Sequence, residues 1–189
     1  MARNNILRWV GSKTHAIDLL NGIISFDFDN LIELYCGSAI ISIELNKRLN
    51  IKRTFCVDID KNIINFYNDL KRIPTEFIKH YKINWNLLKT DYLHYYKVRE
   101  RFNTNNNSLD WFFLNRTCIN GLMRYNHGKM NTSLHPNRNG TKPETIEKII
   151  LKNLNSLNKI EFLNKDCLNF INSFNRFLLD LKVQNLFHK

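Results

Sequence analysis

Three short apolar runs, each leading into a helical repeat, constrain this chain more than any other feature. Leu31 to Tyr35 is the first, broken only by Glu33. Thr54 to Val57 is the second, and Ile160 to Leu163, broken by Glu161, is the third. Each reads as a fully buried strand. Ser38 to Leu49 then carries Ile40, Ile41, Ile43 and Leu45 on a helical repeat, and Asn62 to Leu70 carries Ile63, Ile64, Phe66, Tyr67 and Leu70. Strand, helix, strand, helix is the pattern of a parallel sheet with crossover helices. The expected fold class is α/β.

The middle of the chain differs. From Pro74 to about Leu122 the pattern is helical and aromatic, interrupted by a loop at Asn103 to Ser108. Tyr125 to Lys142 contains Gly128, Pro136 and Gly140 with little periodicity, and is expected to be a long exposed loop. Thr141, with Glu144 three residues on, is expected to cap a helix running to about Leu157. The expected division is therefore a sheet domain of residues 1–73 and 158–189, with residues 74–157 inserted as a helical segment.

With 189 residues, 43% of them hydrophobic and 24% charged, the chain can bury one real core and is short for two domains. No run approaches the ~20 apolar residues of a membrane span, and the start lacks the apolar stretch of a signal peptide. A cytoplasmic monomer is expected. The four cysteines, Cys36, Cys56, Cys118 and Cys167, form no Cys-x-x-Cys pair and no zinc spacing. They are expected to be reduced and buried, with no metal. The net charge of +11 favours a polyanionic partner, although a Lys- and Asn-rich composition can accumulate charge without function.

Where the charge lies is more informative. Between Trp111 and Pro143 stand Arg116, Arg124, Lys129, Arg138 and Lys142, with no Asp or Glu. Such a stretch, interleaved with Asn and aromatics, suits a phosphate backbone and base edges. It also fits a solvated basic loop.

The strand ends carry the other candidates. In Glu33-Leu-Tyr-Cys-Gly-Ser-Ala39, Gly37 allows a tight turn close to a ligand and Ser38 can cap the next helix. Ligands of open α/β sheets bind at the carboxyl ends of strands. Asp58 lies about 20 residues beyond Gly37, the distance at which an acid reaches a ribose hydroxyl. Taken alone, these residues read more often as a helix cap and a strand-end carboxylate. An oxidoreductase would want a fuller Gly-x-Gly-x-x-Gly turn, from which Ala39 departs.

Longer strings shift the balance. Leu7-Arg-Trp-Val-Gly-Ser-Lys13 resembles the Lys-Trp-Ala-Gly-Gly-Lys opening of the Dam-like DNA adenine methyltransferases. Glu33 to Ala39 resembles their Glu-Pro-Phe-x-Gly-x-Gly motif. Asp58-Ile-Asp60 with the following Asn62-Ile-Ile-Asn-Phe-Tyr resembles their Asp-Ile-Asn…Leu-Ile-x-x-Tyr. Phe113-Leu-Asn-Arg-Thr-Cys-Ile-Asn-Gly-Leu-Met-Arg-Tyr-Asn126 is similar to their Leu-Asn-Arg-x-x-x-Asn-Gly-Leu-x-Arg-Tyr-Asn segment. The resemblance runs from about Arg3 to about Leu179, in the family's order.

That resemblance implies a Rossmann-like sheet binding S-adenosylmethionine, with an inserted helical segment that recognises double-stranded DNA. It implies that Trp9, Gly11 and Lys13 hold the methionine part, Lys13 near the carboxylate. Glu33 and Gly37 would line the turn under the cofactor, Asp58 would accept from the ribose and Asp166 would meet the adenine amino group. Arg116 and Asn120 would order the DNA segment or meet phosphates, with Asn126, Lys129 and Arg138 beside them. Ile119 and Leu122 would wedge into the base stack, and Arg124 would contact a guanine edge. An aromatic residue often stands in relatives where Ile119 does.

The family's catalytic Asp-Pro-Pro-Tyr has no counterpart, because the only prolines are Pro74, Pro136 and Pro143. The strand expected to present it is Phe177 to Leu179, with Asp180 as the remnant acid. The sheet is therefore expected to be incomplete and methyl transfer by this chain doubtful. A binding module that recognises DNA without chemistry, and an inactive fragment, are the competing readings.

Overall fold

The computed structural model describes residues 5–14, 16–24 and 28–173. Phe177 to Leu179 and Asp180 lie outside the described residues.

Three parallel strands form the sheet: β1 (Asn30–Leu34), β2 (Arg53–Asp58) and β5 (Ile160–Asn164), in the order β1-β2-β5. Their register pairs Asn30 with Arg53 and Leu34 with Val57, then Thr54 with Ile160 and Asp58 with Asn164. Between them in sequence come α2 (Ile40–Arg48) and α3 (Lys61–Arg72), as the periodicity requires; α1 (Ala16–Ile23) precedes β1. Side chains alternate across the strands. On one face, Cys56, Ile160 and Phe162 join the main core, where Tyr67 of α3 stacks on Phe162 at 4.4 Å between ring centroids. On the other, Ile32, Leu34, Phe55, Val57 and Leu163 meet Cys167 and Phe170 from the helical residues 167–173.

The strands are less buried than the apolar runs suggest. β1 is at best half-buried along its length, because it lies at the edge of the described sheet and its outer-face residues pack only against a small cluster. Its last expected residue, Tyr35, has left the strand with φ 53°.

Within residues 74–157, the expected insert, the first three helices are α4 (Pro74–Thr90), α5 (His94–Asn105) and α6 (Ser108–Thr117). The expected Asn103 loop shrinks to Asn106 and Asn107, because α5 runs on to Asn105 and the Asn107 side chain caps α6 by accepting from Asp110 N. Phe66, Phe77, Tyr81, Trp111, Phe112 and Phe113 fuse these helices with α3 into one aromatic core. The expected long loop also has structure. β3 (Tyr125–Asn126) pairs with β4 (Lys129–Met130) as a hairpin, and Met130 and Thr132 are buried.

Two expected caps fall elsewhere. Thr141 does not cap α7 (Pro143–Asn158): Lys142 holds the N-cap position and Pro143 stands in the first turn. Thr141 is occupied by Tyr81, whose hydroxyl donates to its carbonyl, and by Arg116, which donates to its hydroxyl. Ser38 does not cap α2, since Ala39 takes that position with φ 48° and offers no side-chain acceptor. The Glu33 carboxylate serves instead, accepting from Ser42 N at 2.9 Å. All four cysteines are free and buried, as expected. No helix among the described residues is long and apolar enough to cross a membrane.

Asp110 ties the inserted helices together. Its carboxylate, 1% exposed, accepts from His80 Nε2, from Arg101 and from Asn107 Nδ2. Burial alone would raise this carboxyl, but the donors from Arg101, His80 and Asn107 outweigh it and hold the group well below the usual carboxylate range. A depressed folded value means stability that is complete above the unfolded value of about 3.9 and lost as pH falls through the folded one. Asp110→Ala should cost about 2 kcal/mol, because it removes the buried acceptor on which Arg101, His80 and Asn107 converge. Thermal melts at neutral pH and near pH 3 check this: the gap between wild type and variant should narrow in acid.

Candidate functional site

The carboxyl ends of the three strands converge on one turn. After β1 the backbone bends through Tyr35, Gly37 and Ala39, all at positive φ of 53°, 46° and 48°. Left-handed backbone at a tyrosine and an alanine is strained, and such strain clusters at binding sites. Asp58, at the end of β2, holds the turn by accepting from Gly37 N at 3.0 Å through Oδ2, while Oδ1 accepts from Asp60 N at 3.0 Å. Asp60 caps α3 by accepting from Asn62 N, and burial pushes its carboxyl up. At the end of β5, Asn164 Nδ2 donates to the carbonyls of Asp58 and Ile59. Asp166 caps the helical residues that follow, accepting from Asn169 N. Tyr35, Ile59 and Leu168 leave large apolar side chains exposed around these strand ends.

The segment Asn5 to Thr14 closes over this turn. A Cβ on Gly37 would fall 2.5 Å from Trp9 Nε1, so only glycine lets the indole lie against the turn. Ser12 Oγ lies 3.1 Å from Ser38 Oγ and accepts from Asn5 Nδ2 at 2.8 Å. Gly11 takes φ 77°, and Lys13 is exposed. Trp9, Gly37 and Asp58 are thus brought together around one turn, with Glu33 beneath it.

The insert reaches the same segment. Arg8 N donates to Asn115 Oδ1 at 3.0 Å, and Asn115 Nδ2 donates back to Arg8 O at 2.9 Å. Next to it, Arg116 donates to the carbonyls of Asn5 and Ile6. Gly121, at φ 70°, lies against Arg8: an added Cβ would come within 2.5 Å of Arg8 Cβ. Beyond this clamp the chain turns outward. Asn120, Arg124, Asn126, Lys129 and Arg138 are exposed, while Ile119 and Leu122 are half-buried. Thr132 fixes the backbone behind them, donating to Leu122 O and accepting from Arg124 N.

A family model for the D12 class N6 adenine-specific DNA methyltransferases matches residues 9–178. The chain belongs to that family. Among its similar proteins is the type II methyltransferase M.MjaIII of Methanocaldococcus jannaschii, 27% identical over 179 residues that cover 81% of this chain and 58% of that one. The DNA adenine methylase of Serratia marcescens is 31% identical over 124 residues, covering 64% and 44%. That of Vibrio cholerae is 32% identical over 127 residues, covering 64% and 43%. The chain spans about half the length of the curated relatives it matches.

Within this D12-class chain two of the four strings that resemble the family meet, Leu7 to Lys13 and Phe113 to Asn126. The Leu-Asn-Arg string puts Asn115 and Arg116 inside the protein, both buried, where they grip the Trp9 segment. Asn115 stood in the quoted motif without a role. Its signal was its place beside Arg116 in a run of apolar residues, where an amide must find partners. Two glycines separate packing from backbone strain in this region. Gly128, at φ 74°, has open space where a Cβ would go, whereas Gly121 has Arg8. Gly128→Ala should cost about 1 kcal/mol, for the left-handed backbone alone. Gly121→Ala should cost about 3 kcal/mol, since the clash adds to the strain. Urea denaturation of the two variants checks the difference.

Proposed function

We propose that this chain carries the cofactor- and DNA-binding elements of a site-specific DNA adenine methyltransferase, with S-adenosylmethionine as donor and duplex DNA as acceptor. The observation that carries the reading is the meeting of Trp9, Gly37 and Asp58 at the strand ends, with the Phe113 to Asn126 segment clamped to Arg8.

The residues present fit the cofactor. Each Asp58 oxygen already accepts one backbone N–H, and a carboxylate keeps about two acceptor sites per oxygen, so both remain able to take a ribose hydroxyl. Ile59 and Tyr35 offer exposed apolar surface suited to the faces of an adenine ring. Asp166 suits the adenine amino group, and Lys13 the carboxylate at the other end. Glu33 supports the turn from beneath by holding the first turn of α2. Bound S-adenosylmethionine would supply an electrophilic methyl group on a sulfonium sulfur.

On the DNA side, Asn120, Asn126, Lys129 and Arg138 are exposed and suit phosphates. Arg124 suits a guanine edge, and Ile119 and Leu122 suit a wedge in the stack. Arg116 orders this segment from inside. The acceptor amino group is a poor nucleophile, because its lone pair is delocalised into the ring, and its protons must be accepted by a nearby carboxylate or carbonyl. Asp180 is the candidate for that role.

Titration calorimetry tests the cofactor site. Asp58→Asn exchanges an acceptor for an NH2 facing a backbone N–H, and should weaken S-adenosylmethionine at least tenfold. Equal affinity would remove Asp58 from the site. Duplex binding should weaken as salt rises, and Arg138→Gln should flatten that dependence.

The sequence holds no adjacent prolines, so the family's carbonyl acceptor and stacking tyrosine are missing from these 189 residues. Losing one pre-organised group of this kind costs roughly 100- to 1000-fold in rate. Labelled methyl transfer to unmethylated duplex should therefore be undetectable, and the chain would act as a binding module. Transfer that vanishes in Asp180→Ala would instead show a working site.

A further inference from the structure

A cleft of about 600 Å³ opens beside the strand-end site, between the Asn5 to Thr14 segment, the loop at Arg138 to Thr141 and the start of α7. Gly37, Asp58 and Asp166 do not line it, whereas Trp9 and Gly11, the residues expected at the methionine end of the cofactor, form part of its wall. Its polar wall includes Arg8, Arg116, Arg138, Asn5, Thr141 and Thr145, and no Asp or Glu.

Arg116 is unusual within it. The residue is 6% exposed, and no ion pair among the described residues involves Arg116, Arg8 or Arg138. Its NH1 and NH2 groups donate to carbonyls and to the Thr141 hydroxyl, but its Nε has no partner. Asn5 Oδ1, on the same cleft, also has none. A cation withdrawn from water without a counter-charge is costly and leaves a positive field in the space it faces. Burial lowers the guanidinium to about 10 and neighbouring Arg8 adds to the shift, while Tyr81 opposes it.

A second source of positive potential points the same way. The 16-residue helix α7 begins here, its N-cap residue Lys142 makes no side-chain cap, and Thr145 of its first turn lines the cleft. Thr145 N is already bonded to Lys142 O and Pro143 has no N–H, so the helix end contributes the positive end of its dipole rather than a row of donors. Glu144 in that turn is exposed and does not line the cleft.

We propose that this cleft is a phosphate-binding site, in which Arg116 acts through its buried charge and Arg8 and Arg138 through direct hydrogen bonds. Three guanidinium groups and a helix end around one space suit a tetrahedral oxyanion with several acceptor oxygens better than a carboxylate with two. The phosphate comes either from the backbone of a bound duplex or from a free mononucleotide. The duplex source rests on the function proposed above; the phosphate site does not.

Pyrophosphate titrated calorimetrically into the full chain at low chloride tests the site. One saturable site is expected, weakened at least tenfold in the Arg8→Gln, Arg138→Gln double variant with an unchanged melting temperature. Absence of saturable binding, or equal binding by the double variant, overturns the proposal. Arg116→Lys, which keeps the charge, should retain binding that Arg116→Gln loses if both fold. If Arg116→Gln unfolds, the double variant decides.

Competition identifies the source. Displacement of pyrophosphate by duplex, but not by duplex with methylphosphonate linkages, marks the backbone. Displacement by a 5′-mononucleotide but not by duplex marks a free phosphate. Displacement by S-adenosylmethionine alone would mean that the cleft takes the cofactor's carboxylate, and the phosphate assignment would be wrong. Cofactor binding lost in Asp58→Asn with pyrophosphate binding intact separates the two proposals.

Discussion

The Asn115 side chain pairs with the main chain of Arg8 as a neighbouring strand would, giving and taking one hydrogen bond. Most of the candidate site depends on this pairing. It fixes the segment that carries Trp9 onto Gly37, and it starts the turn that carries Asn120 and Arg124 outward. Asn115 is fully buried, so losing either bond would strand a polar group away from water at about 1–3 kcal/mol. Arg116 repeats the grip one residue on, at Asn5 and Ile6. A basic residue in a nucleic-acid-binding segment invites assignment to the ligand. Here its hydrogen-bond partners are the protein's own carbonyls and the Thr141 hydroxyl, so its charge reaches the neighbouring cleft from a buried position.

The same economy governs the strand ends. Asp58 is both the expected ribose acceptor and the residue that pins Gly37 N. Glu33 lies under the turn and caps α2 from a strand. The backbone there is held at positive φ in Tyr35 and Ala39, at about 1 kcal/mol or more each. Acceptors from neighbouring strands hold the turn in that form. The proposed binding geometry and the local fold therefore depend on the same few side chains.

The parallel sheet and its crossover helices were legible, because short apolar runs alternate with longer segments that carry a helical repeat. α3 and α7 end within two residues of their expected limits. The caps were not legible. Ser38 and Thr141 have the right chemistry for capping, but tertiary partners took them, Ser12 in one case and Tyr81 with Arg116 in the other. The loop at Tyr125 to Lys142 hid a hairpin, since strands of two residues leave no period to read. The Asp110 network was equally hidden, because its partners His80 and Arg101 are brought close only by helix packing. Of the candidate site, spacing marked only Gly37 and Asp58, and their proposed roles came from the longer strings that resemble the family, whereas the clamp between Arg8 and Asn115 joins positions 107 residues apart.

Residues 5–14 form the shared wall of the proposed cofactor and DNA sites. Amide hydrogen exchange of that segment tests this role most directly, with S-adenosylmethionine and duplex DNA added separately. The account requires each ligand alone to slow exchange in residues 5–14, because Trp9 faces the strand-end turn and Arg8 is bound to the insert. Protection by the cofactor confined to residues 35–60, together with protection by the duplex confined to residues 115–142, would contradict it.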